Sequence, residues 1–400
     1  MNKDQDNGDN LNISGRKTLL YSVLATLIVL MFLEGVSYLT ILGLERYGMS
    51  IKTYPYHHYL GWENRKSDVH KVGGHCTYGI SAQYGYIATD ADGHSITPLT
   101  FEKPEYRIVV TGGSTMFGGG SSSHATSVPS LLEKVIFAET GLKAEVINLG
   151  VSGYQSFQEM LAFYRYLKSN EVDLVLAVSG RNDASYALKE PGLRSASLLS
   201  EVYERIALVN SYDSDGAFVR STVSFMKAHS FTFDLLHVAL PKVLRRINDF
   251  LTTQSDGSQQ VVMEDDHGGR VYENIPQRVR ISSQHYSLMN TMAQERGIPF
   301  MMLLQPTAYT KTLLTEQEQR CLGSRVWRDK RVANNILEKY EKRFFQAFRD
   351  IHKSYSFQDL TAIFDDVATT SYVDMCHYND SGAEVVARGV FERIRDMLPR

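Results

Sequence analysis

Three short apolar runs, Tyr106 to Thr111 (YRIVVT), Glu145 to Leu149 (EVINL) and Asp173 to Ser179 (DLVLAVS), each run out into a glycine-containing turn. Runs this short, rich in β-branched residues, fit strands buried on both faces, and such strands belong to parallel sheets covered by helices. Helical signals follow the first two, at Ser130 to Thr140 and Ser156 to Ser169. Pro299 to Leu304 (PFMMLL) reads as a fourth strand after a helix from about Gln277 to Arg296, and Tyr355 to Leu360 is the candidate fifth. Val326 to Lys353 is amphipathic, with Val332, Ile336, Tyr340, Phe344, Ala347 and Ile351 on one face, and a last helix covers Ser381 to Met397. From Glu105 onward this alternation predicts an α/β fold, a three-layer α/β/α sandwich around a parallel sheet.

Open α/β sheets bind ligands at the carboxyl ends of their strands, so the turns after these runs carry the chemical interest. They read Gly112-Gly113-Ser114-Thr115, Asn148-Leu149-Gly150-Val151-Ser152-Gly153 and Gly180-Arg181-Asn182-Asp183; a further block, Asp374-Met375-Cys376-His377, lies in a loop ahead of the last helix. Acyl transfer needs a nucleophile, a base, a group to orient that base, and donors for the oxygen that becomes an anion. Ser114 is the candidate nucleophile and His377 the candidate base. Asp374 is placed to fix the imidazole tautomer that leaves Nε2 toward Ser114. The backbone N–H groups of Ser114 and Gly153 and the side-chain amide of Asn182 are the candidate oxyanion donors. Alone, each block is a common turn, cap or solvated loop; their order and their strand contexts give them weight.

As an ordered set, the blocks resemble those of the SGNH (GDSL-like) hydrolases, named for the Ser, Gly, Asn and His that fall here at Ser114, Gly153, Asn182 and His377. The resemblance implies the flavodoxin-like hydrolase sheet and a serine esterase. Gly113 stands where the name-giving motif has Asp, and Thr115 where it has Leu. Neither change touches the acyl-transfer groups. The stretch between Asn182 and Asp374 is long for the family, which implies an insertion, assigned to residues 184–274, that would form a lid or an acceptor site. Within it Leu198 to Ala207 and Phe218 to Phe250 read as helical and Thr252 to Gly269 as a mobile loop. Anchored relatives of this kind act on O-acetyl groups of cell-surface polysaccharides, so the expected substrate is an acylated glycan or small molecule. An O-acyltransferase working through the same acyl-enzyme, a lipase or thioesterase, and a non-catalytic glycan-binding component are the alternatives. The mechanism requires no metal or organic cofactor. A phosphate-binding loop at Gly113 to Gly118 is the rival reading, but Gly119 and Gly120 stand where that motif needs Lys and Ser or Thr.

Net charge of −3 and a pI near 6.5 provide no electrostatic footprint for nucleic acid. Thr18 to Leu33 is a nearly unbroken apolar run that resumes from Val36 to Leu44. About 20 apolar residues span a bilayer, so residues 18–43 are expected to form a single transmembrane signal-anchor, with Glu34 at its outer edge. Arg16 and Lys17 precede it, favouring an inside amino terminus and a body outside the cytoplasm, periplasmic or extracellular. Residues 1–17 read as a disordered cytoplasmic tail and 44–104 as a loop-rich, membrane-proximal collar, followed by the hydrolase domain, 105–400. The Tyr56 to Trp62 cluster (YHHYLGW) would serve as an interfacial belt, a cleft wall or packing under the collar. Cys76, Cys321 and Cys376 allow one disulfide outside the cytoplasm, and Cys321 with Cys376 is the expected pair because it would brace the loop of the base. His70, His75 and Cys76 lack the paired spacing of a zinc motif and read as loop residues.

Overall fold

The computed structural model describes residues 8–46, 56–57, 61–64, 66–73, 84–97, 99, 101, 103–189, 232, 272–323 and 334–399. The chain divides into two compact units, Met1–Tyr54 with Leu208–Ser258, and Pro55–Ala207 with Gln259–Arg400. In the first, α1 (Gly8–Arg46) is one long helix that already begins inside the stretch expected to be a disordered tail. Its segment Leu20–Thr40, 21 residues, is long and apolar enough to cross a membrane. Leu27, Ile28, Met31 and Phe32 stand exposed, which water does not reward on a helix apolar all round. Thr26 and Thr40 hydroxyls donate to the helix's own carbonyls at Ser22 and Val36, and two further polar side chains are met from elsewhere in the unit: the Thr232 N–H donates to the Glu34 carboxylate at 3.2 Å, and the Thr232 and Ser37 hydroxyls lie 3.1 Å apart.

The second unit opens with two short antiparallel hairpins, β1 (Tyr56–His57) with β2 (Gly61–Trp62) and β3 (Val69–Gly73) with β4 (Tyr84–Ala88). Its body is a five-stranded sheet, β5 (Tyr106–Gly112), β6 (Ala144–Asn148), β7 (Leu174–Ser179), β8 (Phe300–Leu304) and β9 (Ser356–Asp359). All pairings are parallel and the order is β6-β5-β7-β8-β9. Around it lie α2 (Ser114–Phe117), α3 (Val128–Thr140), α4 (Ser156–Leu167), α5 (Arg181–Lys189), α6 (Ile275–Gln294), α7 (Glu316–Gly323), α8 (Asn334–Asp350) and α9 (Asp380–Ile394).

Strand periodicity explains the layers, because alternate side chains face opposite ways. Val175 and Ala177 of β7, Val109 of β5 and Met302 of β8 join one core with Phe163 of α4, Tyr286 of α6 and Phe344 of α8. Leu174, Leu176 and Val178, with Ile108 and Leu303, join the opposite core with Leu132 of α3 and Val386 of α9. The expected three-layer α/β/α sandwich is the observed fold. The face expected on α8 is also present: Ile336, Tyr340 and Phe344 are buried, with Ala347 and Ile351 partly so; Val332 is outside the described residues.

Residues of the expected collar pack on this body. Tyr86 bridges to Ser123 and Ser95 to Asn148, and the buried Asn64 amide donates to the Gly150 carbonyl at 3.1 Å. Apart from Thr232, the insertion's interior expectations at Leu198 to Ala207, Phe218 to Phe250 and Thr252 to Gly269 lie outside the described residues, as do His75, Cys76 and the side chains of His70 and of Tyr56, His57 and Trp62.

Candidate active site

In the order β6-β5-β7, the chain leaves β5 toward one side of the sheet and then continues on the other. The crevice beyond the carboxyl ends of β5 and β7 is therefore the topological switch point. The two ends are level there, since Gly112 pairs with Val178. Ser114 follows β5 and heads α2, a four-residue helix, while Asn182 sits in the first turn of α5, after β7. Backbone N–H groups in a helix's first turn have no acceptor within the helix. Among the described residues none takes the Ser114 N–H, nor that of Gly153, which reaches its turn at φ +84°, a conformation that favours glycine.

The three turns touch. Asn182 Nδ2 donates to the Tyr154 carbonyl at 2.8 Å, and because an amide nitrogen carries two hydrogens, one remains for a ligand. A Cβ on residue 113 would collide with that same Nδ2, so glycine at this position gives the amide room beside Ser114. Asn148 ties the first turn to the second. Its Nδ2 donates to the Met116 carbonyl at 2.8 Å and its Oδ1 accepts from the Gly150 N–H at 2.9 Å. Gly113 to Gly118, the stretch of the phosphate-loop rival, is occupied by α2 and its cap.

The fourth block lies between β9 and α9, whose amino end is capped by Asn379 accepting from the Gly382 N–H. Asp374 Oδ1 accepts from the Cys376 and His377 N–H groups at 2.9 and 2.8 Å, and Asp374 Oδ2 is 2.6 Å from His377 Nδ1. His377 Nε2 in turn is 2.6 Å from Ser114 Oγ. An ionised carboxylate only accepts, so Nδ1 holds a proton, and in the neutral ring the Nε2 lone pair faces the serine hydroxyl. Burial opposes charge on His377, but the Asp374 carboxylate outweighs it and holds the imidazole well above its ordinary range. Asp374 moves the other way: burial would raise it, and the His377 charge with three hydrogen bonds keeps it well below the usual carboxylate range.

This loop is braced by buried charge. Lys311 and Glu318 are an ion pair at 2.9 Å, with both side chains fully buried. Lys311 Nζ also donates to the Thr369 carbonyl at 2.6 Å, and Glu318 Oε1 accepts from the Ser371 and Tyr372 N–H groups at 2.8 and 3.2 Å. The Ala308 N–H donates to the Met375 carbonyl, and the Tyr378 hydroxyl to that of Pro306. The expected bridge between Cys321 and Cys376 is not made. Cys376 is a free, buried thiol whose Sγ turns toward His377 Nδ1 at 3.9 Å, while Cys321 is disulfide-bonded to a different partner. Asp374, Cys376 and His377 bring one potential metal-ligand atom each within 4.8 Å, but the imidazole and the carboxylate are already engaged with Ser114 and with each other. Sequence reasoning missed Asn64, Asn148, Lys311 and Glu318. Only Asn148 had a local signal, as the first residue of its block.

No family model matches the chain, and no curated protein matches it by sequence. Among solved structures it is similar to an α/β hydrolase enzyme from the metagenome of Lake Arreo, Spain, at 12% identity over 74% of this chain and 98% of that one, TM-score 0.35. It is likewise similar to an acetyl xylan esterase, at 12% identity over 72% and 99%, TM-score 0.35. A third is an acetylxylan esterase from Geobacillus stearothermophilus, at 14% identity over 73% and 94%, TM-score 0.36.

Proposed function

We propose that the chain is a serine esterase of SGNH type that hydrolyses O-acyl esters, first of all O-acetyl groups of a cell-surface or exported polysaccharide. The observation that carries this reading is the continuous line from Ser114 Oγ through both nitrogens of His377 to Asp374, at 2.6 Å on each side of the ring. Ser114 Oγ attacks the ester carbonyl carbon while its proton passes to His377 Nε2. The carbonyl oxygen becomes an anion and takes the N–H groups of Ser114 and Gly153 and the second amide hydrogen of Asn182. When the carbonyl re-forms, the sugar oxygen leaves with the proton from Nε2 and the acyl group stays on Ser114. Water, deprotonated by the same nitrogen, then releases the acid. Asp374 remains ionised throughout and stabilises the transient imidazolium. A sugar hydroxyl in place of water would turn the second half into acyl transfer.

The apolar helix α1 is read as the membrane anchor, with the basic pair Arg16 and Lys17 inside and the catalytic unit outside the cytoplasm. The disulfide at Cys321 supports that side, because such bonds persist in oxidising compartments. The acetyl-glycan substrate rests on the resemblance of the sequence blocks. Acetate release from a panel of acetylated glycans by wild type and Ser114→Ala, with fluorophosphonate labelling of Ser114, tests the reading. The mutant is expected to keep its fold and lose both signals. Equal release by the two proteins rejects Ser114 as nucleophile.

A further inference from the structure

The turn after β7 carries three consecutive polar side chains, and the mechanism above uses only the middle one. Arg181 and Asp183, on either side of Asn182, are both buried. Asp183 Oδ1 accepts from the Ser156 hydroxyl at 2.6 Å and from the Ser282 hydroxyl of α6 at 2.8 Å, and Oδ2 accepts from the Ser156 N–H at 3.2 Å. Ser156 is the first residue of α4, so this carboxylate lies at a helix amino end, where unpaired N–H groups and the helix dipole favour an anion. His285 Nδ1 is 2.9 Å from Ser156 Oγ. The serine gives its only proton to Asp183, so its oxygen accepts from His285, which fixes the Nδ1–H tautomer. Burial lowers the affinity of His285 for a second proton and keeps it neutral. The set has the residue types of the candidate triad in reversed order: here the serine donates to the acid rather than to the imidazole. Ser156 is also 1% exposed, so it is no second nucleophile.

We propose that Asp183 is a positioning residue for the Asn182 oxyanion donor. It ties the first turn of α5 to α4 and α6, so that the amide keeps one hydrogen on Tyr154 and the other toward the reacting carbonyl. The pairing is doubled, because Asn182 holds Tyr154 while its neighbour Asp183 holds Ser156, two residues further on. On the opposite flank, Arg181 Nε lies 2.7 Å from Glu341 of α8 and clamps the same turn. The role rests on the esterase reading above.

A double-mutant cycle with Asp183→Asn and Asn182→Ala in the full chain, assayed on p-nitrophenyl acetate, tests it. Asparagine keeps the volume of Asp183 but turns an NH2 toward the donors of Ser156. The kcat of Asp183→Asn is expected to fall about 10- to 100-fold with KM nearly unchanged, less than the roughly 100- to 1000-fold typical of losing an oxyanion donor itself. The double mutant is expected to fall no further than Asn182→Ala alone, as for residues that act as one unit. Losses that multiply, or a wild-type kcat in Asp183→Asn, overturn the role. If Asp183→Asn does not fold, Ser282→Ala replaces it in the cycle, removing one donor to the same carboxylate and leaving the charge. A smaller, equally non-additive drop in kcat is then expected, and a wild-type or additive result overturns the proposal. Absence of Ser114-dependent turnover in the wild-type arm rejects the esterase reading and this role with it, whereas Ser114-dependent turnover with additive losses rejects the positioning role alone.

Discussion

The proposed nucleophile and the proposed base reach the same point by different means. Ser114, Gly153 and Asn182 stand on turns that leave β5, β6 and β7 directly, and ladder pairing such as Gly112 with Val178 sets where those turns begin. Asp374 and His377 ride on a loop well past the end of β9, outside the named strands and closed by a single antiparallel bridge from Tyr372 to Tyr378. That loop is held by buried side chains, the Lys311 and Glu318 pair above all, which reach across to the backbone of Thr369, Ser371 and Tyr372. The place of the proposed nucleophile thus follows from main-chain pairing that forms whenever the sheet forms. The place of the proposed base depends on buried side chains as well as on the loop's own backbone bonds, Val373 N–H to the His377 carbonyl and Ala308 N–H to that of Met375.

The largest effect is expected where the base side is broken at the chemistry itself. Asp374→Asn leaves the turn's shape but removes the carboxylate that fixes the tautomer, and a loss of about 10,000-fold in kcat is expected, the size seen when a triad acid is replaced by its amide. The pH profile adds a sign. Because Asp374 holds His377 above its ordinary range, the imidazole is protonated and useless as a base at lower pH. Wild-type kcat/KM should therefore climb with pH along a limb above about 6.5. In Asp374→Asn the upward pull of the carboxylate is lost while burial still opposes the charge, so the residual limb should shift downward. A limb that stays in place would show that Asp374 does not set the charge of His377.

Next comes the brace. Lys311→Met leaves Glu318 buried and unpaired, which typically costs about 3–5 kcal/mol, read as a lower urea midpoint at unchanged slope. The same change should reduce kcat by more than tenfold in protein that is still folded, since a shift of about 1 Å near the chemistry can cost about 100-fold. Adding Glu318→Gln removes the uncompensated charge while keeping an acceptor for Ser371 and Tyr372, so part of both losses should return. Full activity in folded Lys311→Met would mean the loop carries its own geometry.

The same division explains how much was legible in the sequence. The strands at Tyr106, Glu145 and Asp173 were readable because burial on both faces demands unbroken apolar runs, and the residues just past them inherit their positions from the ladder. The meeting of His377 with Ser114 came from the ordered blocks rather than from any local pattern. Lys311 and Glu318 carry no sequence signal that sets them apart from surface charges; only the tertiary packing buries them. The expected Cys321 to Cys376 bridge failed for a related reason: sequence brings both cysteines near one loop, but the Cys376 side chain turns toward the His377 ring. Asn64, in a stretch read as membrane-proximal collar, gave no hint that its amide ends on the Gly150 carbonyl.

Asn148 supplies the smallest and most discriminating test, because it is the nucleophile side's counterpart to Lys311. It is buried and joins the Met116 carbonyl to the Gly150 N–H. In Asn148→Ala both groups lose their partner, and each buried orphan costs about 1–3 kcal/mol before solvent or relaxation offsets part of it. A net loss near 2 kcal/mol in urea unfolding is expected. Yet Leu149 N–H still donates to the Val110 carbonyl and Val151 N–H to that of Gly112, so both turns keep their main-chain ties to β5. The kcat of folded Asn148→Ala should then stay within about fivefold of wild type, about 1 kcal/mol in barrier height. If kcat instead falls as far as in Lys311→Met, side chains hold the nucleophile as tightly as they hold the base, and the contrast between the two halves of the site is wrong.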